Sequence, residues 1–101
     1  MSSVWKFEFK IDDNIEIEMP EYAIVLHVDM QLQRKIGIDP MAMHKEEVPC
    51  IWAWVNPEKP MVKRRFRLAG TGHVLPDVPL QHVGSFKMSQ DRLVFHLFEV
   101  L

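Results

Sequence analysis

Val4-Trp5-Lys6-Phe7-Glu8-Phe9-Lys10-Ile11 alternates apolar and charged residues without a break. Side chains in a strand repeat every two residues, so Trp5, Phe7, Phe9 and Ile11 share one face. Lys6, Glu8 and Lys10 fall on the other. A helical period does not fit this pattern, and the segment reads as a half-buried strand. Asp12-Asp13-Asn14 supplies turn chemistry, because short polar side chains mimic backbone partners. Ile15, Ile17 and Met19 then alternate with Glu16 and Glu18 up to Pro20. The spacing predicts a hairpin from these two segments.

The same reading extends along the chain. Tyr22 to Gln33 predicts a longer strand with Ile24, Leu26, Val28, Met30 and Leu32 on one face. Arg34 to Pro49 carries Gly37, Pro40 and Pro49, and is read as an irregular or short-helical insert near residues 34–49. Met41 to Met43 could open a helical turn behind Asp39-Pro40; a loop is the alternative. Cys50 to Asn56 is apolar on both faces and reads as a central strand. Pro57 to Pro60 is read as a turn between antiparallel partners, and Val62 to Ala69 as the strand that follows. His82 to Met88 and Leu93 to Val100 predict a last hairpin, turned by Ser89 to Arg92. The expectation is an all-β domain, a small antiparallel sandwich or barrel of about seven strands. Trp5, Phe7, Phe9, Phe66, Leu93, Phe95 and Leu97 are expected in its core.

A chain of 101 residues is one domain, and 48% apolar content suffices for a single core. Net charge is −2, so no global basic field draws duplex nucleic acid. The lone cysteine, Cys50, excludes an intramolecular disulfide and a multi-cysteine zinc site. The N-terminus lacks an apolar signal core, and no apolar run approaches a membrane span. A soluble, cytoplasmic protein is expected, with no cofactor.

Chemistry concentrates between Ile51 and His73. Trp52 and Trp54 alternate on one strand; Arg65 and Arg67 alternate on the next; Gly70-Thr71-Gly72-His73 follows. Each has a structural reading: tryptophan in a small β domain packs the core, charge guards an edge strand, glycines serve a turn. The functional reading joins them. Rings stack on flat ligands, arginine forks bind phosphate or carboxylate, and turn N–H groups approach an anion. His27 and Asp29 share a strand face as a polar dyad. No His-x-His or His-x-x-x-His pair suggests a metal, and Cys50 has no base beside it, so no catalytic residue is assigned.

Leu26-His27-Val28-Asp29-Met30-Gln31, Pro49-Cys50-Ile51-Trp52-Ala53-Trp54-Val55, Arg64-Arg65-Phe66-Arg67, Gly70-Thr71-Gly72-His73 and Val94-Phe95-His96-Leu97-Phe98-Glu99 occur in this order. In that order the chain resembles a family of small phage and prophage proteins with a domain of unknown function. It departs from the family at Arg34 to Val48, where the family looks shorter. The resemblance implies an accessory product acting in the bacterial cytoplasm during infection. By analogy with other small phage proteins, it suggests a sponge that sequesters a nucleotide signal.

Two functional expectations result. In the first, a small anionic, nucleotide-derived ligand is sequestered by Trp52, Trp54, Arg65, Arg67, Thr71, His73 and His27. Its pocket would lie at the interface of a homo-oligomer, a dimer being commonest. In the second, Arg64, Arg65 and the Met41–Met43 segment dock on a host or phage enzyme. A small nucleotide-processing enzyme using His27, His73 or His82 ranks below both.

Overall fold

The computed structural model describes residues 1–36, 43–88 and 93–101, with the backbone alone for 32–36 and 43–46. The described residues form seven strands: β1 (Ser3–Glu8), β2 (Asn14–Pro20), β3 (Ile24–Ile36), β4 (Met43–Val55), β5 (Met61–Gly70), β6 (Leu80–Met88) and β7 (Leu93–Val100). All their pairings are antiparallel. A small sheet has the order β1-β4-β3 and a large sheet the order β2-β5-β7-β6. They form an open sandwich, not a closed barrel, and no helix occurs among the described residues. The molecule measures 46 × 40 × 18 Å, the thinness expected of two stacked sheets.

The expected first hairpin does not form. β1 pairs with β4, through Trp5↔Ala53 and Phe7↔Ile51, while β2 pairs with β5 in the other sheet. The polar turn between them is the corner where the chain changes layers. Phe9 N–H donates to Pro49 O on one side of that corner, and Leu68 N–H donates to Asp13 O on the other. β1 ends at Glu8, so Ile11 is exposed and not part of its stripe. Residues 57–60 do turn the chain, but they too join different sheets, β4 to β5. A half-buried stripe followed by turn residues looks identical in sequence whether the next strand pairs or crosses over. The last hairpin, β6–β7, is formed.

A β-bulge corrects the expected face of β3. Ile24 pairs with Trp54 and Val25 with Ala53, but the next pair is His27 with Trp52. Leu26 is the extra residue. It reverses the inside–outside phase, as bulges do. Ala23 and Val25 pack inward before it, Val28 and Met30 after it, and Ile24 and Leu26 are left outside. The expected insert is likewise strand where it is described. β3 runs to Ile36 and β4 starts at Met43, paired along Arg34↔Lys45 to Ile36↔Met43. Backbone pairing has no apolar signature of its own, and Pro49 does not break the strand. It lies just past the last β1 pair, Glu8↔Cys50, where a missing N–H is tolerated. Of the expected helical turn, Met43 opens β4 instead, while Met41 and Ala42 lie outside the described residues, as does the turn at 89–92.

The core fills the space between the sheets. Ile51, Ala53 and Val55 of β4 face Phe66 and Leu68 of β5 and Leu97 of β7. Trp5, Phe7 and Phe95 pack against this cluster, and Phe9 meets Phe86 edge to face at 6.3 Å. Leu93, expected inside, is about half exposed at the start of β7. Gly84 follows a second bulge, between His82 and Gly84, and lies against β3. A Cβ there would stand 2.8 Å from Val28 Cγ1. Gly84→Ala is therefore expected to destabilise the fold by about 1–3 kcal/mol through overpacking. Thermal melts should show part of that loss restored by adding Val28→Ala.

Candidate functional site

The alternation that buries Ile51, Ala53 and Val55 turns Trp52 and Trp54 outward from the small sheet. The alternation that buries Phe66 and Leu68 turns Arg65 and Arg67 outward from the large sheet. The two sheets stack back to back. Within one chain the rings and the guanidinium groups therefore lie on opposite faces, and among the described residues no single pocket unites them.

On the small sheet, Trp54 sits in the central strand between Val4 of β1 and Ile24 of β3, its direct register partners. All three are about half exposed, as is Leu26, which the bulge turns outward. Tyr22, at the head of β3, is 78% exposed. It occupies the left-handed region at φ 66°, closing a turn in which Ala23 N–H donates to Pro20 O. That region disfavours any bulky residue. Lys59 Nζ lies 5.7 Å from the tyrosine ring centroid. Beside this row, His27 lies 5.7 Å from Trp52, ring centre to ring centre, and 3.6 Å from an Asp29 oxygen. The expected dyad is thus present. Both its members are more than half exposed, where such a pair contributes at most about 1 kcal/mol.

Cys50 shares this face but is fully covered. Its thiol reaches Val48 O at 3.5 Å, while Lys6 Nζ donates to Gln31 Oε1 at 2.6 Å nearby. Burial pushes the thiol pKa above its ordinary 9.0; Lys6 opposes the shift and Glu8 adds to it. The unfolded chain therefore loses this proton first as pH rises. The stability it contributes is whole below pH 9.0 and falls as pH climbs through the raised folded value. Urea melts from pH 9.0 up to that raised value should show a decline that Cys50→Ala flattens.

On the large sheet, Arg67 Nη1 donates to Asn14 Oδ1 at 2.9 Å, while its Nε is buried without a partner. Arg65 is exposed beside it. Thr71 and His73 turn elsewhere. Gly72, at φ 88°, sits at the third position of a turn in which His73 N–H donates to Gly70 O. The imidazole folds back, its Nδ1 accepting from Gly70 N–H at 3.3 Å. Thr71 Oγ1 contacts His96 Nε2 at 2.9 Å. His96 Nδ1 lies 2.7 Å from Ser85 Oγ, and His82 Nε2 reaches that hydroxyl at 3.2 Å. Among the described residues this chain of hydroxyls and imidazoles has no carboxylate to orient it, and it leaves Thr71 and His73 engaged with neighbours.

Arg64, expected on a contact surface, points inward. Its Nε and Nη2 grip Glu99 Oε2 and Oε1, both at 2.7 Å, and its Nη1 donates to Ala23 O. The fork ties β5 and β7 to the corner leading into β3. The signal was present in the alternation: Arg64 is in phase with Phe66 and Leu68, and Glu99 with Phe95 and Leu97. Opposite charges on the inward phase of neighbouring strands predict a part-buried pair. Among the described residues no cluster of three or more His, Cys, Asp or Glu could hold a metal. No helix among them is long and apolar enough to cross a membrane.

Fold and surfaces define a two-sheet antiparallel sandwich with a distinct chemistry on each outer face. The chain belongs to the family described as Domain of unknown function DUF7352, which it matches over residues 1–101. No curated protein and no solved structure matches it.

Proposed function

We propose that this protein is a non-catalytic binding protein that docks on a protein partner through the outer face of its small sheet. The observation that carries this is the apolar row Val4–Trp54–Ile24 crossing all three strands, extended by Leu26 and Tyr22. Contiguous exposed apolar surface of this kind marks interaction sites, and tryptophan and tyrosine dominate their hot spots. Tyr22 adds weight. A bulky ring held at positive φ costs free energy, and such strain persists where function needs it. The resemblance to phage and prophage proteins supplies a setting: an accessory factor in the bacterial cytoplasm, acting against host defence by occupying a host or phage enzyme. Sequestration of a nucleotide-derived anion ranks second, because the rings and the guanidinium groups face opposite ways in one chain.

Tyr22→Gly tests the reading. Relief of the left-handed strain, about 1–2 kcal/mol, is offset by the entropy glycine adds to the unfolded chain, about 0.4–1 kcal/mol. The variant should melt at or slightly above the wild type. If the face docks a partner, affinity purification should recover that partner with wild type and with Arg65→Ala, and lose it with Tyr22→Gly and Trp54→Lys. Equal recovery by all four would remove the proposal. Light scattering on the same samples reports whether a second copy is the occupant.

A further inference from the structure

We infer that the groove on the outer face of the large sheet binds a monoanionic carboxylate joined to a compact apolar group, held by Arg65 and Arg67. The site is independent of the docking face, which lies on the other sheet.

The groove has a volume of about 300 Å³. Asn14 and Glu16 of β2 and Arg65 and Arg67 of β5 line its polar side. Pro76 and Val78, from the segment joining β5 to β6, close it together with Val100 of β7. An apolar wall facing a polar one is what an amphiphilic ligand requires.

The arginines are prepared for an anion. Arg67 spends one N–H on Asn14, and its Nε is desolvated without an acceptor. Arg65 makes no side-chain hydrogen bond or ion pair with any described residue. A partly desolvated guanidinium attracts a carboxylate more strongly than one in open water. Arginine forks match carboxylate geometry in two-pronged fashion.

Glu16 sets the ligand's charge. It is the register partner of Arg65, yet the two form no ion pair. Among the residues that line the groove, two guanidiniums and one carboxylate leave a single net positive charge. That suits one carboxylate and works against the several charges of a nucleotide polyphosphate. The apolar wall then needs a short aliphatic body, supplied either by a chain-terminal residue or by a free short-chain acid.

Amide NMR titrations separate these cases with three probes: N-acetyl-leucine, hexanoate and the neutral N-acetyl-leucine amide. Both acids should give saturable shifts at Arg65, Arg67 and Val78, and the neutral amide should not. Arg65 is exposed, so Arg65→Gln tests the site without disturbing the fold. It should weaken acid binding about tenfold. Glu16→Gln should strengthen it. Tighter binding of N-acetyl-leucine would support the site with a chain terminus as ligand, and tighter binding of hexanoate would support it with a free acid. The inference is overturned if the neutral amide binds as well as the acids, if Arg65→Gln changes nothing, or if no saturable shift maps to the groove.

Discussion

Replacing Arg64 with methionine should cost about 3–5 kcal/mol, although the new side chain fills much of the same space. The loss comes from what stays behind. The Glu99 side chain is only 16% exposed and loses both of its 2.7 Å bonds, and Ala23 O loses a donor. Glu99 is only part-buried, but a charge this largely covered, left unpaired, carries a penalty of that order. Arg64→Lys keeps the charge but not the fork, and should lose about 1–2 kcal/mol. Arg64→Met combined with Glu99→Leu should recover most of the loss, since an apolar pair removes the desolvation cost together with the attraction. Urea denaturation of the four proteins gives the comparison. A single Arg64→Met variant within about 1 kcal/mol of wild type would mean that the pair behaves as a surface contact.

Phe66→Ala should be at least as damaging, by a different route. The ring is 1% exposed and belongs to the central cluster between the sheets. Its strand pairs with β2 on one side, at Ile15, and with β7 on the other, at Glu99. With neighbours on both flanks, the site cannot collapse onto the space left. Deleting such a ring costs about 3–5 kcal/mol, against a total stability of about 5–15 kcal/mol for a domain. The variant should be largely unfolded at physiological temperature or melt far below wild type. An unchanged melt would contradict the register itself, because a one-residue slip would place Phe66 outside.

These two residues show how much of the fold was legible. Phe66 could be read from alternation alone, as could Phe9 and Leu97. The strands, and the outward aim of Arg65, followed from the same pattern. Alternation stops being informative at bulges and at the corners between sheets. One bulge residue, Leu26, reversed the phase of β3 and turned Ile24 outside. The turns at 12–14 and 57–60 gave no sign that they change sheets. The second of these decided the site. Trp54 and Arg65 are close in sequence and were expected to meet, but a layer change at 57–60 places them on opposite surfaces. Groove residues Pro76 and Val78 were unreadable for a related reason: nothing local shows where a loop comes to rest.

The layer-changing corners also set the order in which the chain can assemble. Among the described residues only β3–β4 and β6–β7 are consecutive strands that pair directly with each other. β1 must wait for β4, its residue Ser3 meeting Val55, and β2 must wait for β5, with Asn14 meeting Arg67. During synthesis the first two strands therefore leave the ribosome long before their partners. Their apolar stripes and free edges stay unpaired meanwhile, the condition that exposes a chain to aggregation. Refolding should start from the two hairpins. It should then reach the native state slowly for a chain of this size, on the millisecond-to-second scale of non-local β pairing.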